Sequence, residues 1–266
     1  ERRVIVAPLL DPERHPIIAH RGASGLAPEN TLASFDLAAE QGADGFELDV
    51  RLTADGVPVV FHDPTLTRTT DRHGAIAEVP SSELASIDVG SWFTPDGVRH
   101  PYRGAGVRIP TLREVLDRHP TMPLLIELKV VEAAEPVRRV LEAAGAVGRV
   151  VVASFLDGAL RPFRRPPFVT GASRRENAAT FFRSLVGLPA AKHGPALYAV
   201  PIRYKDRIPV PTRGFVRAAR RRGRPVHVWT VNDAPEANRL WDRGCAGMIS
   251  NFPADLLAAR RARFGY

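Results

Sequence analysis

The sequence predicts an α/β protein of the (β/α)8, or TIM-barrel, type with a small inserted subdomain. Two observations support this prediction: short apolar runs that are typical of buried strands alternate with segments of helical periodicity, and eight such runs occur in 266 residues. Eight strands that alternate with helices over about 250 residues are typical of a closed barrel. An open, doubly wound sheet is the structural alternative, but no glycine-rich dinucleotide fingerprint follows any of the strands.

Each predicted strand is a short run of mainly aliphatic residues. The strands are predicted at residues 16–20, 45–50, 124–128, 150–154, 168–172, 196–200, 226–231 and 247–250. The predicted helices carry apolar residues three or four positions apart, so that one face of each can pack on the sheet. They are predicted at residues 31–41, 111–118, 136–144, 212–222, 234–243 and 253–263. Region 162–195 is rich in Arg and Pro, and we expect it to form irregular loops at the barrel top.

Two features interrupt the alternation. Residues 57–62 follow the second strand after only the turn-like Thr-Ala-Asp-Gly, which is too short for a crossover helix. We therefore predict a β-hairpin that brings His62 close to Asp49. Residues 63–110 are rich in Gly, Pro, Thr and Ser and show little periodicity. They are predicted to form a subdomain inserted into a single catalytic domain that spans residues 1–266.

The chain is basic, with a formal net charge of +8 at pH 7 and a pI of about 10.4. Almost all of the positive charge is arginine, and its densest cluster, at 217–224, is predicted to be a solvated helix face. A net positive charge is compatible with binding to nucleic acid, to an anionic membrane or to a phosphate substrate. No zinc-finger, helix-turn-helix or aromatic-basic RNA motif accompanies it, so we predict that nucleic acid is not a partner.

Cysteine content and hydropathy narrow the class further. Cys245 is the only cysteine, which excludes an internal disulfide. No apolar run reaches the roughly 18 residues that span a bilayer, so we predict no transmembrane segment. We expect a cytoplasmic location. Export stays open as the alternative, because the sequence begins at Glu1 rather than Met and an upstream segment could have been removed.

Carboxylates lie on one face of two predicted strands. Side chains alternate along a strand, so Glu47 and Asp49 point to one side while their apolar neighbours point to the other. Glu127 and Lys129 repeat this pattern. In a barrel the three carboxylates would converge near the axis, where they repel one another and need a cation. An all-oxygen set suits a hard ion such as Mg²⁺ or Ca²⁺. The alternative is a set of ion pairs with nearby cations, namely Arg21, Arg51 and Lys129.

Two histidines, His20 and His62, end predicted strands near these carboxylates. Because the pKa of histidine is near neutrality, one member of a pair can take a proton while the other gives one. Arg21 and Lys129 would supply positive charge for an anionic substrate. Asn30 lies at the start of a predicted helix, where we expect it to serve as a cap. Together, these groups suggest cleavage of a phosphodiester.

Seven segments of the chain form an ordered set of motifs. They are His20-Arg21-Gly22, Pro28-Glu29-Asn30-Thr31, Glu47-Leu48-Asp49-Val50, Val60-Phe61-His62-Asp63, Glu127-Leu128-Lys129, Val228-Trp229-Thr230-Val231-Asn232 and Gly247-Met248-Ile249-Ser250-Asn251-Phe252-Pro253. This set resembles the glycerophosphodiester phosphodiesterase family from about His15 to Asp255. Each segment alone is weak, but the ordered set is highly specific. The last strand departs from the family pattern, because it ends in Ser250-Asn251 where Thr-Asp is commoner.

The resemblance implies a barrel of the phosphodiesterase type with a small inserted subdomain. It also implies metal-dependent hydrolysis of a glycerophosphodiester, a small-molecule substrate, to an alcohol and sn-glycerol 3-phosphate. In such a mechanism the glycerol 2-hydroxyl attacks first and water opens the resulting cyclic phosphate, or water attacks directly. The sequence leaves open which histidine is the acid and which is the base, and it does not give the head group or the oligomeric state.

By motif position the resemblance assigns a role to each candidate residue. The residues implied to bind a divalent metal, Mg²⁺ or Ca²⁺, are Glu47, Asp49 and Glu127. The residues implied to act as general acid and base are His20 and His62. The residues implied to bind substrate are Arg21 and Lys129 at the phosphate and Trp229 at the glycerol or head group. Packing inside the barrel is the alternative role for Trp229.

Two other functions stay open from the sequence. A lysophospholipase D-like hydrolysis of lysophospholipids would use the same site, but it needs an apolar groove for the acyl chain. The Arg-rich helices and the inserted subdomain motivate this alternative. A non-catalytic barrel that binds phosphate or nucleic acid would account for the positive charge, although it lacks the nucleic-acid motifs named above.

Overall fold

Strands and helices alternate along the chain as the sequence predicts. The computed structural model describes residues 6–205 and 207–266. The strands are β1 (Ile17–His20), β2 (Gly45–Leu52), β3 (Pro58–Val60), β4 (Leu124–Leu128), β5 (Val150–Ala153), β6 (Val169–Thr170), β7 (Tyr198–Pro201), β8 (Arg203–Tyr204), β9 (Ile208–Pro209), β10 (Val226–Trp229) and β11 (Met248–Ser250). The helices are α1 (Ala7–Leu10), α2 (Leu32–Glu40), α3 (Leu112–Arg118), α4 (Ala134–Ala143), α5 (Asp157–Leu160), α6 (Arg174–Leu185), α7 (Arg213–Arg220), α8 (Ala234–Asp242) and α9 (Pro253–Phe264).

The sheet closes on itself. Its parallel strands are neighbours in the order β6-β5-β4-β2-β1-β11-β10-β7. A parallel bridge between Gly171 and Leu197, just past β6 and just before β7, joins the two outermost strands. At the same place the amide of Ala172 donates a hydrogen bond of 3.0 Å to the carbonyl of Leu197. This closure confirms the predicted (β/α)8 barrel over the open sheet.

Side chains of the barrel strands alternate between two apolar environments. Outward-facing residues of β2, such as Phe46 and Leu48, pack in a cluster with the surrounding helices. Inward-facing residues, such as Ile18, pack with Leu9 of α1. The α1 helix closes the barrel end at which the strands begin, because the Leu9 carbonyl accepts a hydrogen bond of 2.8 Å from His227 Nε2 at the start of β10. The opposite end of the barrel, at the C-terminal ends of the strands, is not covered by α1.

The predicted hairpin is present. β3 runs antiparallel to β2, with Val60 opposite Val50. Gly56 in the intervening turn has φ +78°, a conformation that glycine adopts without steric cost. Beyond β3, the amide of Phe61 donates a hydrogen bond of 2.9 Å to the carbonyl of Asp49. His62, the next residue, is thereby brought back toward the carboxylates of β2, as the sequence predicts.

The segment between β3 and α3 contains short 3-10 turns at Ile76–Glu78 and Ser81–Ser86 and no α-helix. Its apolar side chains pack together with the outer face of β3. The members of this small cluster are Val59, Phe61, Leu66, Ile76, Leu84, Ile87, Val89 and Ile109. The lobe at 63–110 is therefore attached to the hairpin through an apolar core of its own.

The expectation of irregular loops at 162–195 is wrong, because α6 lies within that region. Its start is fixed by a capping box in which Glu176 N donates to Ser173 Oγ and Ser173 N donates to Glu176 Oε2 at 2.8 Å. The Ser-x-x-Glu pattern was the local signal for this helix, and apolar periodicity did not reveal it. Among residues 6–205 and 207–266, no helix is long and apolar enough to span a membrane.

Candidate active site

The C-terminal ends of the barrel strands surround a cavity of about 190 Å³. Its lining contains all of the site residues that the sequence predicts, namely His20, Arg21, Glu47, Asp49, His62, Glu127, Lys129 and Trp229. The barrel topology therefore collects side chains from β1, β2, β4, β10 and the hairpin into one place. Their chemical roles stay predictions at this point.

Three carboxylates converge in this cavity. β2 and β4 are parallel neighbours with Asp49 directly opposite Glu127, and Glu47 lies one inward position earlier on β2. One oxygen from each carboxylate lies within 4.8 Å of the other two. Burial, and then repulsion by Asp49, raise the pKa of Glu47 well above its ordinary value. Burial also raises the pKa of Glu127. Lys129 opposes this shift, and Asp49 adds to it.

Two cations balance part of this charge. Arg21 Nε lies 3.0 Å from Asp49 Oδ2, and Lys129 Nζ lies 2.8 Å from Asp49 Oδ1. Lys129 Nζ is also 2.9 Å from Glu127 Oε1. Burial opposes ionisation of Asp49, but Lys129 and Arg21 together hold its pKa below the ordinary value. Arg51, the third cation considered from the sequence, instead donates a hydrogen bond of 2.7 Å from Nε to the His62 carbonyl.

Glu47 has no such cation. Within residues 6–205 and 207–266, no Lys or Arg side chain forms an ion pair with it, and its Oε2 accepts a hydrogen bond of 3.2 Å from the Arg21 amide. Arg21 is also shared, because its Nη1 lies 2.9 Å from Glu29 Oε1. Three carboxylates therefore face two cations, and an ionised Glu47 would be a buried negative charge without a cation, in keeping with its raised pKa. A buried, all-oxygen donor set with surplus negative charge fits a hard divalent cation.

His20 has a neutral hydrogen-bond partner. Its Nδ1 lies 2.7 Å from Asn251 Oδ1, and Ser24 Oγ lies 3.0 Å from the same amide oxygen. Because an amide oxygen only accepts, Nδ1 carries the proton, and Nε2 is the unprotonated nitrogen that lies 3.9 Å from Glu47 Oε2. Burial, and then the nearby Arg21, lower the pKa of His20 to about 4. At neutral pH, His20 is therefore an uncharged imidazole.

His62 has a charged partner instead. Its Nδ1 lies 2.6 Å from Asp63 Oδ1, and Arg68 Nε lies 2.6 Å from Asp63 Oδ2. The hydrogen bond from Arg68 lowers the pKa of Asp63 to about 2, so this partner is ionised at neutral pH. Burial lowers the pKa of His62, while Asp49 and the hydrogen bond to Asp63 oppose that effect. The two histidines of the site therefore differ in the group that orients them.

Asn30 is not the helix cap that the sequence suggested. The cap of α2 is Thr31, whose Oγ1 accepts a hydrogen bond of 3.3 Å from Ser34 N. The buried side chain of Asn30 instead donates from Nδ2 to Asp49 Oδ2 at 2.9 Å. Asn30 thus orients a carboxylate of the cluster, which is a role that helix-start patterns do not reveal. Sequence reasoning also missed the contacts that Asn251 and Arg68 make.

Apart from Ser154, the rest of the cavity wall is apolar. Trp229 ends β10, and its ring centroid lies 6.2 Å from that of Phe155, which follows β5. The small side chains that line the cavity beside these rings are Ala153, Ala172 and Ala199. Small residues at inward positions leave room between the aromatic rings and the charged groups. A ligand with one anionic and one less polar part fits such a lining.

A closed (β/α)8 barrel that gathers acid–base groups and a carboxylate cluster at the C-terminal ends of its strands belongs to the class of barrel enzymes. The particular family follows from comparison with known proteins. The model of the glycerophosphoryl diester phosphodiesterase family matches residues 20–255, and the chain belongs to this family. The resemblance found in the sequence motifs and the predicted class of enzyme are thereby confirmed.

Relatives match the chain over most of their own lengths. YhdW of Bacillus subtilis is 36% identical over 251 residues, with 89% of this chain and 94% of that protein covered. A glycerophosphodiester phosphodiesterase of the same organism is 30% identical, with 92% and 86% covered. The structure of an Oleispira antarctica phosphodiesterase in complex with the product sn-glycerol-3-phosphate has a TM-score of 0.74 and 29% identity, and 92% of this chain and 96% of that chain are covered.

Proposed function

We propose that this protein hydrolyses glycerophosphodiesters to an alcohol and sn-glycerol 3-phosphate with the help of a divalent metal ion. The observation that carries the proposal is a single cavity that holds three carboxylates, two cations and two differently partnered histidines. The family and the product bound to the Oleispira relative support the choice of substrate. The relatives' names do not favour the lysophospholipase D-like alternative.

We assign the metal to Glu47, Asp49 and Glu127, whose oxygens lie within 4.8 Å of one another. When bound there, Mg²⁺ or Ca²⁺ would neutralise phosphoryl charge that builds up during the reaction. The raised pKa of Glu47 supports this assignment, because its ionised form is costly without a cation and a bound metal ion would supply one. Asn30 keeps Asp49 oriented through its amide group.

Arg21 and Lys129 are assigned to the phosphate. Both already lie beside Asp49, so their charged ends are positioned before any substrate arrives. Such preorganised donors stabilise charge on phosphoryl oxygens without having to reorganise during the reaction. Trp229 is assigned to the less polar part of the substrate, because its ring lies on the apolar side of the cavity.

We assign the base to His20 and the acid to His62. The neutral Asn251 fixes the His20 tautomer with an unprotonated Nε2, which can take the proton of the attacking hydroxyl. The carboxylate of Asp63 favours the protonated form of His62, which can give its proton to the departing alkoxide oxygen. As the new oxygen–phosphorus bond forms, the bond to the leaving alcohol breaks, and both charges are quenched by these proton transfers. The attacking hydroxyl belongs to the glycerol 2-position or to water.

Release of glycerol 3-phosphate from a panel of glycerophosphodiesters tests the function. We expect turnover with Mg²⁺ or Ca²⁺ and none with a chelator. The variants His20→Ala and His62→Ala should each lose about 10²- to 10⁴-fold in kcat. The variant His193→Ala changes an exposed loop histidine and is the matched control. Full turnover in either site variant, with its fold intact, contradicts the assigned proton transfers.

A second variant tests the metal assignment separately. Glu47→Gln removes one charge with little change of shape, and it should raise the metal concentration for half-maximal activity by about tenfold or more. Glu40→Gln changes an exposed helix residue and should leave the metal titration unchanged. Direct binding of the metal, measured by calorimetry without substrate, should show the same difference. An unchanged titration in Glu47→Gln would move the metal away from this cluster.

A further inference from the structure

An apolar face at the end of α6 is left open to solvent. Phe182 and Leu185 are three residues apart and share one side of the helix, and Val186 is the C-cap residue that follows. Their exposed fractions are 66%, 66% and 72%, and Leu188 just beyond the helix is 47% exposed. We call these four residues the α6 patch. A contiguous exposed apolar surface of this kind marks an interaction site more often than scattered single residues do.

Arginines lie beside the α6 patch. Leu185 and Leu188 line a surface groove together with Arg217 and Arg221. Arg221 Nη1 donates a hydrogen bond of 2.9 Å to the Gly187 carbonyl, which holds it next to the patch. In the described part of the chain, neither arginine of the groove forms an ion pair with a carboxylate. Their charge is therefore available to an anionic partner.

The excess of basic over acidic residues extends along the sequence well beyond the groove. Between Glu176 and Asp233 there is one acidic residue, Asp206. The same stretch carries the basic residues Arg183, Lys192, Arg203, Lys205, Arg207, Arg213, Arg217, Arg220, Arg221, Arg222 and Arg224. Of these, Arg220 forms an ion pair with Glu13. Apolar side chains on a helix that is bordered by basic residues are the features of a segment that binds a membrane surface.

The α6 patch is separate from the candidate active site. α6 leads from the C-terminal end of β6 towards the N-terminal end of β7, and so away from the strand ends that surround the cavity. None of the four patch residues lines that cavity. A partner that binds the α6 patch is therefore distinct from the substrate that binds in the active-site cavity.

We propose that the α6 patch docks this protein on the surface of an anionic lipid bilayer. The four apolar side chains would enter the interface between head groups and acyl chains, while Arg217 and Arg221 contact the lipid phosphates. A second copy of the chain is a poorer occupant. A two-fold interface would place these arginines opposite their own copies. Asp242, which lines a neighbouring groove with both arginines, already forms an ion pair with Arg263.

Flotation with lipid vesicles tests the proposal on the full chain. We expect binding to vesicles of phosphatidylcholine with 30% phosphatidylglycerol, and little binding to phosphatidylcholine alone. The double variant Phe182→Ser/Leu185→Ser should bind at least about tenfold more weakly, because two large apolar side chains are lost from the interface. Arg217→Gln should weaken binding about fivefold. Val98→Ser, which changes a residue that is 79% exposed on the inserted lobe, is the matched control.

Three results would overturn the proposal. They are no binding to the anionic vesicles, equal binding of the wild type and the double variant, and self-association in analytical ultracentrifugation that the double variant abolishes. The last result would assign the patch to a second copy of the chain. Hydrolysis of a soluble substrate should be the same in the wild type and the patch variants. Failure of vesicle binding is thus distinguishable from failure of the proposed function.

Discussion

A buried histidine at the closed end of the barrel makes stability depend on pH. The His227 side chain is fully buried, and its Nε2 donates a hydrogen bond to the Leu9 carbonyl of α1. Its Nδ1 accepts a hydrogen bond of 3.0 Å from the Gly247 amide. One nitrogen must therefore donate and the other must accept, which only the neutral imidazole can do. Protonation would place a charge among apolar side chains and would break the contact with Gly247.

The size of the effect follows from the two pKa values. Burial lowers the pKa of His227 from 6.5 to about 4. The unfolded chain therefore takes up the proton first as the pH falls, and the unfolded state gains stability relative to the folded state. The contribution to folding stability is fully present above pH 6.5 and is lost as the pH falls toward 4. At about 1.4 kcal/mol per pH unit, the loss attributable to His227 is about 2 kcal/mol at pH 5 and about 3 kcal/mol at pH 4.

Urea unfolding of the wild type and of His227→Gln at pH 7.5 and pH 5 measures this contribution. Other titrating groups are common to both proteins, so the difference between their two pH dependences isolates His227. We expect the wild type to lose about 2 kcal/mol more than the variant over this range. Glutamine can still donate and accept hydrogen bonds but does not titrate. Equal losses in the two proteins would show that His227 does not stay neutral in the folded barrel.

Two further predictions concern the site. Gly22 has φ +81°, and a Cβ built there would lie 2.4 Å from Ser34 Oγ, so Gly22→Ala should lower the free energy of unfolding by about 2 kcal/mol or more in urea titrations. Gly42→Ala, at φ +85° with nothing within 4 Å, should lose less; equal losses would refute the steric part of the argument. Asn251→Asp gives the proposed base a carboxylate partner, so the acidic limb of the profile of kcat/KM against pH should move to higher pH. Asp63→Asn should move the basic limb to lower pH. If Asn251→Asp instead moves the basic limb and Asp63→Asn the acidic limb, the two histidine roles are exchanged.

The barrel could be predicted from the sequence because its strands are buried on both faces. Continuous aliphatic runs mark such strands, and β1, β4 and β5 are recognised in this way. The helix α6 was missed because its exposed face is itself apolar, which removes the contrast that periodicity measures. The short helix α1 was missed because its 4 residues are too few to show a helical periodicity. Its position depends on tertiary contacts at the closed end of the barrel.

The site could be predicted in part. Strand alternation is enough to place Glu47 and Asp49 on one face, and the short hairpin brings His62 near them. Contacts between side chains that are far apart in sequence could not be predicted. Asn251 reaches His20 across the join between the last strand and the first, and Arg68 comes from the inserted lobe to hold Asp63. Neither contact follows from local patterns, because each depends on how the barrel closes.

The backbone between β1 and α2 shows why Asp49 is positioned so firmly. Among residues 6–205 and 207–266, only four residues other than glycine have a positive φ, and Arg21 and Asn30 are two of them, at 56° and 57°. Both side chains contact Asp49 Oδ2, at 3.0 and 2.9 Å. A left-handed conformation in a residue other than glycine costs about 1–3 kcal/mol and persists only where surrounding contacts hold it. Because the amide of Asn30 also donates to the Arg21 carbonyl at 3.0 Å, the two strained residues stabilise each other. Two strained residues that hold the same carboxylate keep Asp49 oriented before any ligand binds, which is the preorganisation that the proposed function requires.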